Sequence, residues 1–437
     1  MGHLTSLSGK WIDTLRQIPD IMKLILLAFL SIVPSIYTAK TDPPEPEIGK
    51  RWVLNLQYSD EFNGQALDSR KWRNSYVGWE GRTPGYFSPD AVSVNKGMLQ
   101  IRNGVLDSTV KEHTKAKYSI KGGAVQSLEK TAHFGYYEAR FKASRIPMST
   151  TFWMSNGKVP VDFATKISDG NCAKDEFSQE LDIAESIGGN IGIGDKFKKN
   201  MNFNTHYRYI DCAGGKEKFY SAGNNAIEGN GQLVNATLSS ESWEDFHIYG
   251  AYWKNPNEVA FYSDDRFIGD VQVRTDVVDT PFPRPMGINM VTETYDWAKP
   301  YPTNEQLVNN DINTSYYDWV RSYTLVDIGE TVQNTENFNG QGSQIYTEEI
   351  RFFEAPQIAN EKVTLPYVYK ANTNKQITFS MMDETGAVVF ETSITVLAGY
   401  GKDIKTLNVE GMNSENHTFK AALTSLDGKT IYATTKG

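Results

Sequence analysis

The chain is predicted to be all-β: a large sandwich of jelly-roll type followed by a smaller sandwich. Three observations carry this. From Trp52 onward, short β-type runs alternate with turn residues, and no long apolar segment of helical period follows the first forty residues. The composition is ring-rich, with 9 Trp, 23 Tyr and 21 Phe in 437 residues, which suits broad pleated sheets and flat apolar faces for a ligand. A change of character after Val326 divides a Trp-bearing body from a Trp-free tail. The length favours a two-sheet body with room for a second domain.

The first element is Met22-Lys23, the apolar run Leu24 to Val33, and small or polar residues to Ala39. That is the layout of a secretory signal peptide, too short to span a bilayer comfortably. Residues 1–39 are therefore expected to be an upstream extension plus signal, with translation starting near Met22 and the product secreted or periplasmic. Residues 40–50, rich in Pro and acids, read as an extended, mobile linker. Residues 51–326 form the main β body. Within it, Val92-Ser-Val-Asn and Met98-Leu-Gln-Ile-Arg flank a hairpin turn at Asn95, Lys96 and Gly97, and Tyr136 to Lys142 alternates as a strand does. Residues 327–344, rich in Asn, Gln and Gly, read as a second linker. Residues 345–437 alternate again, with turns at Asp383 to Gly386 and Asp427-Gly428, and have the size of a small Ig-like sandwich. Lacking Trp, this part is an accessory spacer or sorting module before it is a sugar-stacking one.

The two cysteines, Cys172 and Cys212, are expected to form a disulfide, since a pair in an exported chain is more often bridged than free. The formal charge of −9 argues against nucleic-acid or general anionic-membrane partners. Trp72, Trp243 and Trp253 are assigned to the core.

The most informative segment is Glu180-Leu181-Asp182-Ile183-Ala184-Glu185. On a regular strand Glu180 and Asp182 share a face with Ala184, and Glu185 points away. A bulge at Ile183 or Ala184 adds a residue and re-aims Glu185 to join the other two acids. Three carboxylates on one face repel, so at least one pKa must rise, and a raised carboxyl is a proton donor near neutral pH. Glu180 and Glu185 would then be about 13 Å apart at Cα, at roughly 3.3 Å per step. Side chains leaning inward could close this to the roughly 5 to 5.5 Å between carboxyls that a retaining glycosidase uses. A solvated acidic edge or a calcium loop are the plainer alternatives, but Leu and Ile between the acids argue for a buried strand.

The acidic hexapeptide, Phe152-Trp153-Met154 upstream and Tyr317-Asp-Trp-Val-Arg-Ser-Tyr downstream together resemble glycoside hydrolase family 16 over roughly residues 50–326. The resemblance implies a jelly roll with a concave substrate cleft and hydrolysis with retention. By motif position it makes Glu180 the nucleophile, Asp182 the assisting acid and Glu185 the general acid/base. The bulged motif, the stretch Trp79-Glu-Gly-Arg82-Thr-Pro-Gly-Tyr-Phe and the run Thr294-Tyr-Asp-Trp297 are similar to β-agarases and β-porphyranases. That implies a red-algal galactan, porphyran or agarose, cleaved internally at β-1,4 galactosidic bonds. Laminarin or carrageenan hydrolysis, or a non-catalytic carbohydrate-binding jelly roll, are the alternatives.

Substrate contacts are expected from Trp79, Trp153 and Trp297 stacking on sugars, from His206 and Glu293, and from Arg82 and Arg208 as partners for a sulfate. No cofactor is required. Structural calcium, which the family often carries, would draw on Asp60 or Asp318. The expected partner is the polysaccharide alone, with no membrane span, and the protein is expected to be a monomer.

Overall fold

The computed structural model describes residues 42–115, 117–160, 176–210, 217–222, 234–275, 278–332, 345–409 and 417–437. The expected signal segment, residues 333–344 of the expected second linker, and Cys172 and Cys212 with their expected disulfide lie outside the described residues. Among the described residues no helix is long and apolar enough to cross a membrane.

Two large sheets form a sandwich. The first runs in the order Glu217–Ala222, Asn200–Ile210, Glu176–Ile187, Ser149–Ser155, Gly287–Thr292, Ile120–Ser127 and Trp72–Arg73. Its partner runs Arg266–Gln272, Glu258–Ser263, His247–Asn255, Gly135–Lys142, Thr314–Asp327, Lys50–Leu54, Gly399–Asn408, Lys362–Ala371 and Glu349–Phe352. Pairing is antiparallel along both paths, and the short strand Gly85–Phe87 adds a parallel contact to Ile120–Gly122. The expected hairpin is present: Lys96 (φ 54°) and Gly97 (φ 71°) make a two-residue turn of the kind that matches strand twist.

Between the sheets, one apolar cluster joins Phe152 and Met154, Leu181, Ile183 and Ala184, Met201 and Phe203, and Ile288 and Met290 of the first sheet to Tyr249, Trp253 and Phe261 of the second. Trp72, Trp243 and Trp253 are buried, as expected of core residues. Fully buried aliphatic and aromatic side chains stabilise by about 1.5–3 kcal/mol each, so this layer fixes which face of every strand is turned outward. What remains outward on the first sheet becomes the site.

The C-terminal segment forms a small four-stranded sheet, in the order Val388–Val396, Lys375–Met382, Thr418–Thr424 and Ile431–Lys436. Along Lys375–Met382 the residues Ile377, Phe379 and Met381 turn inward while Gln376, Thr378 and Ser380 do not. They pack on Ile350, Val363, Leu365 and Tyr369. These belong to strands that continue the large second sheet, because Lys50–Leu54 pairs with both Thr314–Asp327 and Gly399–Asn408. One layer of the tail is thus an extension of the main sheet. Gly399 allows that approach: its φ is 135°, and an added Cβ would lie 2.3 Å from the Trp52 carbonyl oxygen.

The stretch after residue 41 departs from the free linker expected of it. Asp42 pairs with Lys370 at 2.6 Å, and Lys370, only 4 % exposed, also reaches Glu349 at 2.6 Å. Glu45 takes Lys402 at 2.7 Å and Arg351 as a second partner. Trp52 Nε1 donates to the Pro44 carbonyl at 2.7 Å. Proline-rich composition sets an extended backbone, but these charges and the ring fasten it to the tail.

Candidate active site

The acidic strand, Glu176–Ile187, carries the irregularity that its sequence demands. Against Ser149–Ser155 the register passes from Asp182↔Trp153 to Ala184↔Phe152. Against Asn200–Ile210 it passes from Asp182↔Asn204 to Glu185↔Asn202. Ile183 and Ala184 are consecutive and both fully buried in the core, so the strand uses two residues where its neighbour uses one. Glu180, Asp182 and Glu185 all line the same cleft as a result.

That cleft has a volume of about 740 Å³. Its walls hold every residue expected to meet substrate: Trp79, Arg82, Trp153, His206, Arg208, Glu293 and Trp297. A second cavity of about 460 Å³ shares Tyr76, Trp79, Glu180 and Arg208 with it and continues past them to Ser155, Lys158 and Ser178. The groove therefore runs on beyond the acids.

Register explains the grouping. His206 stands opposite Glu180, and its Nε2 lies 2.9 Å from Asp182 Oδ2. Two residues on, Arg208 Nη1 reaches Glu180 Oε2 at 3.2 Å. Arg82 Nε donates to Glu293 Oε2 at 2.9 Å, with Asp296 3.8 Å from its Nη1. Both arginines expected at a sulfate therefore face cleft carboxylates. Trp153 stacks on Tyr76 at 5.8 Å and 14°. Trp297 is 54 % exposed and stacks on Tyr295 at 4.8 Å and 13°, leaving its other face open.

Burial dominates the electrostatics. It raises Glu185 to about 7, with the charge of Asp182 adding to it and the Tyr295 hydrogen bond opposing it. Burial and Asp182 also raise Glu180, while Arg208 and His206 pull it back. Glu293 is pushed up to about 7 by burial against the pull of Arg82. Burial disfavours the His206 cation, yet the charge of Asp182 and its hydrogen bond outweigh this and raise the imidazole above its ordinary value.

Glu180, Asp182 and His206 each offer a ligand atom, all within 4.8 Å of one another, so the cluster has a metal-binding donor set. The Arg208 guanidinium beside Glu180 supplies a competing cation at that place. Of the two carboxylates considered for structural calcium, Asp318 pairs with Arg140, and Asp60 accepts from the Phe62 N–H and from Trp72 Nε1.

Over residues 52–325 the chain matches the model of the β-porphyranase A–D domain of glycoside hydrolase family 16, and over 351–434 that of a porphyranase-associated domain. It belongs to the β-porphyranase A–D family. Among curated relatives, β-porphyranase B of Phocaeicola plebeius is 41 % identical over 70 % of this chain and 98 % of its own length. β-Porphyranase D of Zobellia galactanivorans is 36 % identical over 84 % of this chain and 83 % of its own. Among solved structures, a β-porphyranase from the human gut bacterium Bacteroides plebeius aligns with a TM-score of 0.59 at 42 % identity, covering 66 % of this chain and 96 % of that one. Porphyranase B of Zobellia galactanivorans gives 0.52 at 34 %, covering 65 % and 98 %. The protein is thus a family 16 glycoside hydrolase of the porphyranase and agarase type.

Several cleft residues escaped the sequence reading: Tyr76, Thr151, Ile193, Phe197, Asn202, Asn204 and Tyr295. Asn202 and Asn204 lie at even spacing before His206 and Arg208 on one strand, and Thr151 lies two before Trp153, so the period of two already placed them on the same face. Tyr295 sat inside a quoted motif without a role.

Proposed function

We propose that this enzyme is an exported, endo-acting, retaining hydrolase of the β-1,4 galactosidic bonds of red-algal galactans, porphyran or agarose. The observation that carries the chemistry is the bulge at Ile183–Ala184, which turns three carboxylates into one cleft. The names of the relatives carry the substrate class. Endo action follows from a groove that continues past Glu180 and Arg208. The signal-like run Leu24 to Val33 supports export.

In this reading Glu180 attacks the anomeric carbon of a β-linked galactose while Glu185 gives its proton to the departing glycosidic oxygen. The resulting glycosyl ester on Glu180 is opened by water, which passes a proton to the Glu185 carboxylate as it attacks. Glu180 leaves as a carboxylate and the product keeps the β configuration. A carboxyl held near 7 suits the donor. Asp182, bonded to His206, sits between the two and tunes both. Trp79, Trp153 and Trp297 supply stacking faces. The porphyranase-associated segment 345–437 acts as a structural module joined to the catalytic body 51–326.

The test is digestion of porphyran, agarose, carrageenans and laminarin, followed by proton NMR of the first-formed reducing ends. β-Anomeric oligogalactans from porphyran or agarose are expected. Initial α-anomers, or cleavage of laminarin alone, would overturn the reading. Glu180→Ser and Glu185→Ala should each abolish cleavage while leaving the fold intact.

A further inference from the structure

Glu185 receives a hydrogen bond from outside its own sheet. The Tyr295 hydroxyl donates to Glu185 Oε1 at 2.6 Å, from 110 residues along the chain. Tyr295 is 7 % exposed. Its ring lies between the Arg82 guanidinium, 5.1 Å from the ring centre, and Trp297 at 4.8 Å. The residues before it are anchored. The Glu293 N–H donates to Ser149 Oγ at 2.9 Å, and Ser149 N–H to the Glu293 carbonyl at 2.9 Å. Thr294 Oγ1 accepts from the Gly85 N–H at 3.0 Å and donates to the Arg82 carbonyl. The hydroxyl is therefore held in place by packing and by two adjoining segments.

We infer that Tyr295 is a positioning residue for the acid/base, fixing the orientation of the Glu185 carboxyl through the hydrogen bond to its Oε1. The inference rests on the acid/base reading of Glu185. With Oε1 already accepting from Tyr295, the transferable proton resides on Oε2, so the tyrosine selects which oxygen faces the glycosidic bond. In the second half-reaction the same bond stabilises the carboxylate that must take a proton from water. Tyr295 keeps its own proton throughout, since burial and the charges of Glu185 and Glu293 hold the phenol well above its ordinary range.

The other groups facing Glu185 are Asp182 and Glu180 on its own strand and His206 on the next, with Glu293 and its partner Arg82 beyond them. Asp182 and Glu180 push the Glu185 pKa up, and His206 and Tyr295 pull it down. Removing the hydroxyl alone leaves the first two less opposed. The basic limb of the kcat/KM profile, where Glu185 loses its proton, should therefore move to higher pH.

The experiment compares the wild type with Tyr295→Phe, Tyr295→Leu and Glu185→Ala, reading kcat, KM and the pH profile on agarose and porphyran, with melting temperature as a check on folding. Tyr295→Phe keeps the ring between Arg82 and Trp297. The expected result is an upward shift of its basic limb by about one unit, a roughly tenfold lower kcat and a KM within about twofold. Tyr295→Leu should show the same limb shift plus a raised KM, because Trp297 loses its backing. A Tyr295→Phe profile superimposable on wild type, or equal losses in both variants with the limb unmoved, would show that the residue only packs. If Glu185→Ala keeps turnover and its basic limb, the acid/base assignment itself falls. If Glu185→Ala loses both while Tyr295→Phe behaves as wild type, only the role of Tyr295 falls.

Discussion

Replacing Arg208 by Met should make the enzyme fail at acid pH. The guanidinium lies 3.2 Å from Glu180 Oε2, and both side chains are less than a third exposed. At that separation, an effective dielectric constant of roughly 20 gives a gross attraction of about 5 kcal/mol. Desolvation offsets much of this, and opposite charges at such range lower a carboxyl by about 1 to 3 units. The sign follows from the proposed mechanism, in which Glu180 is the nucleophile and Glu185 the acid/base. Burial and Asp182 already raise Glu180, and the charges of Arg208 and His206 oppose them. Without Arg208 the Glu180 pKa rises further, and the nucleophile is protonated at a pH where the wild type is active. The acidic limb of kcat/KM should move up by about 1 to 2 units, toward the basic limb that Glu185 sets near 7. The bell narrows and its peak drops. Arg208→Lys keeps the charge and should recover most of the lost acid-side activity. Initial rates of reducing-end release across the pH range measure both limbs. An acidic limb for Arg208→Met that coincides with wild type would refute the electrostatic argument.

Three further outcomes follow. Lys370→Met strands Asp42 and leaves Glu349 with fewer partners at a buried position, so denaturant unfolding should show a loss of about 3 kcal/mol with little change in kcat. Gly399→Val must displace either itself or the Trp52 strand, and the melting temperature should fall without any change in the pH profile of the folded fraction. Trp297→Ala removes an exposed stacking face, and KM should rise roughly tenfold, equivalent to about 1.4 kcal/mol, at unchanged melting temperature.

The parts legible in the sequence were those written in local period. Leu181 and Ile183 had to face a core, so the three acids around them could share a surface only through an extra residue, and the bulge lies where that requirement put it. His206 and Arg208 follow Asn202 and Asn204 at even spacing, and one strand presents them all to the cleft. The alternation in Lys375–Met382 likewise announced a two-layered tail. What could not be read was long-range. Nothing near Tyr295 marks the carboxyl it meets 110 residues away. Arg82 and Arg208 looked like free forks for a sulfate because Glu293 and Glu180 become their neighbours only on folding. The stretch around Asp42 and Glu45 has a linker's composition, but its charges find Lys370 and Arg351 at separations of 328 and 306 residues. The sheet shared by body and tail depends on Lys50–Leu54 pairing on both edges, which no pattern in either part discloses.

Azide rescue of Glu185→Ala probes the inward-turned carboxylate most directly, because azide can replace water only if the missing group was the acid/base over the glycosyl-enzyme. With an activated aryl galactoside, the variant should regain turnover as azide is added and release a β-galactosyl azide. Absence of rescue, or an α-azide product, would contradict the placing of Glu180 as nucleophile and Glu185 as its proton-handling partner.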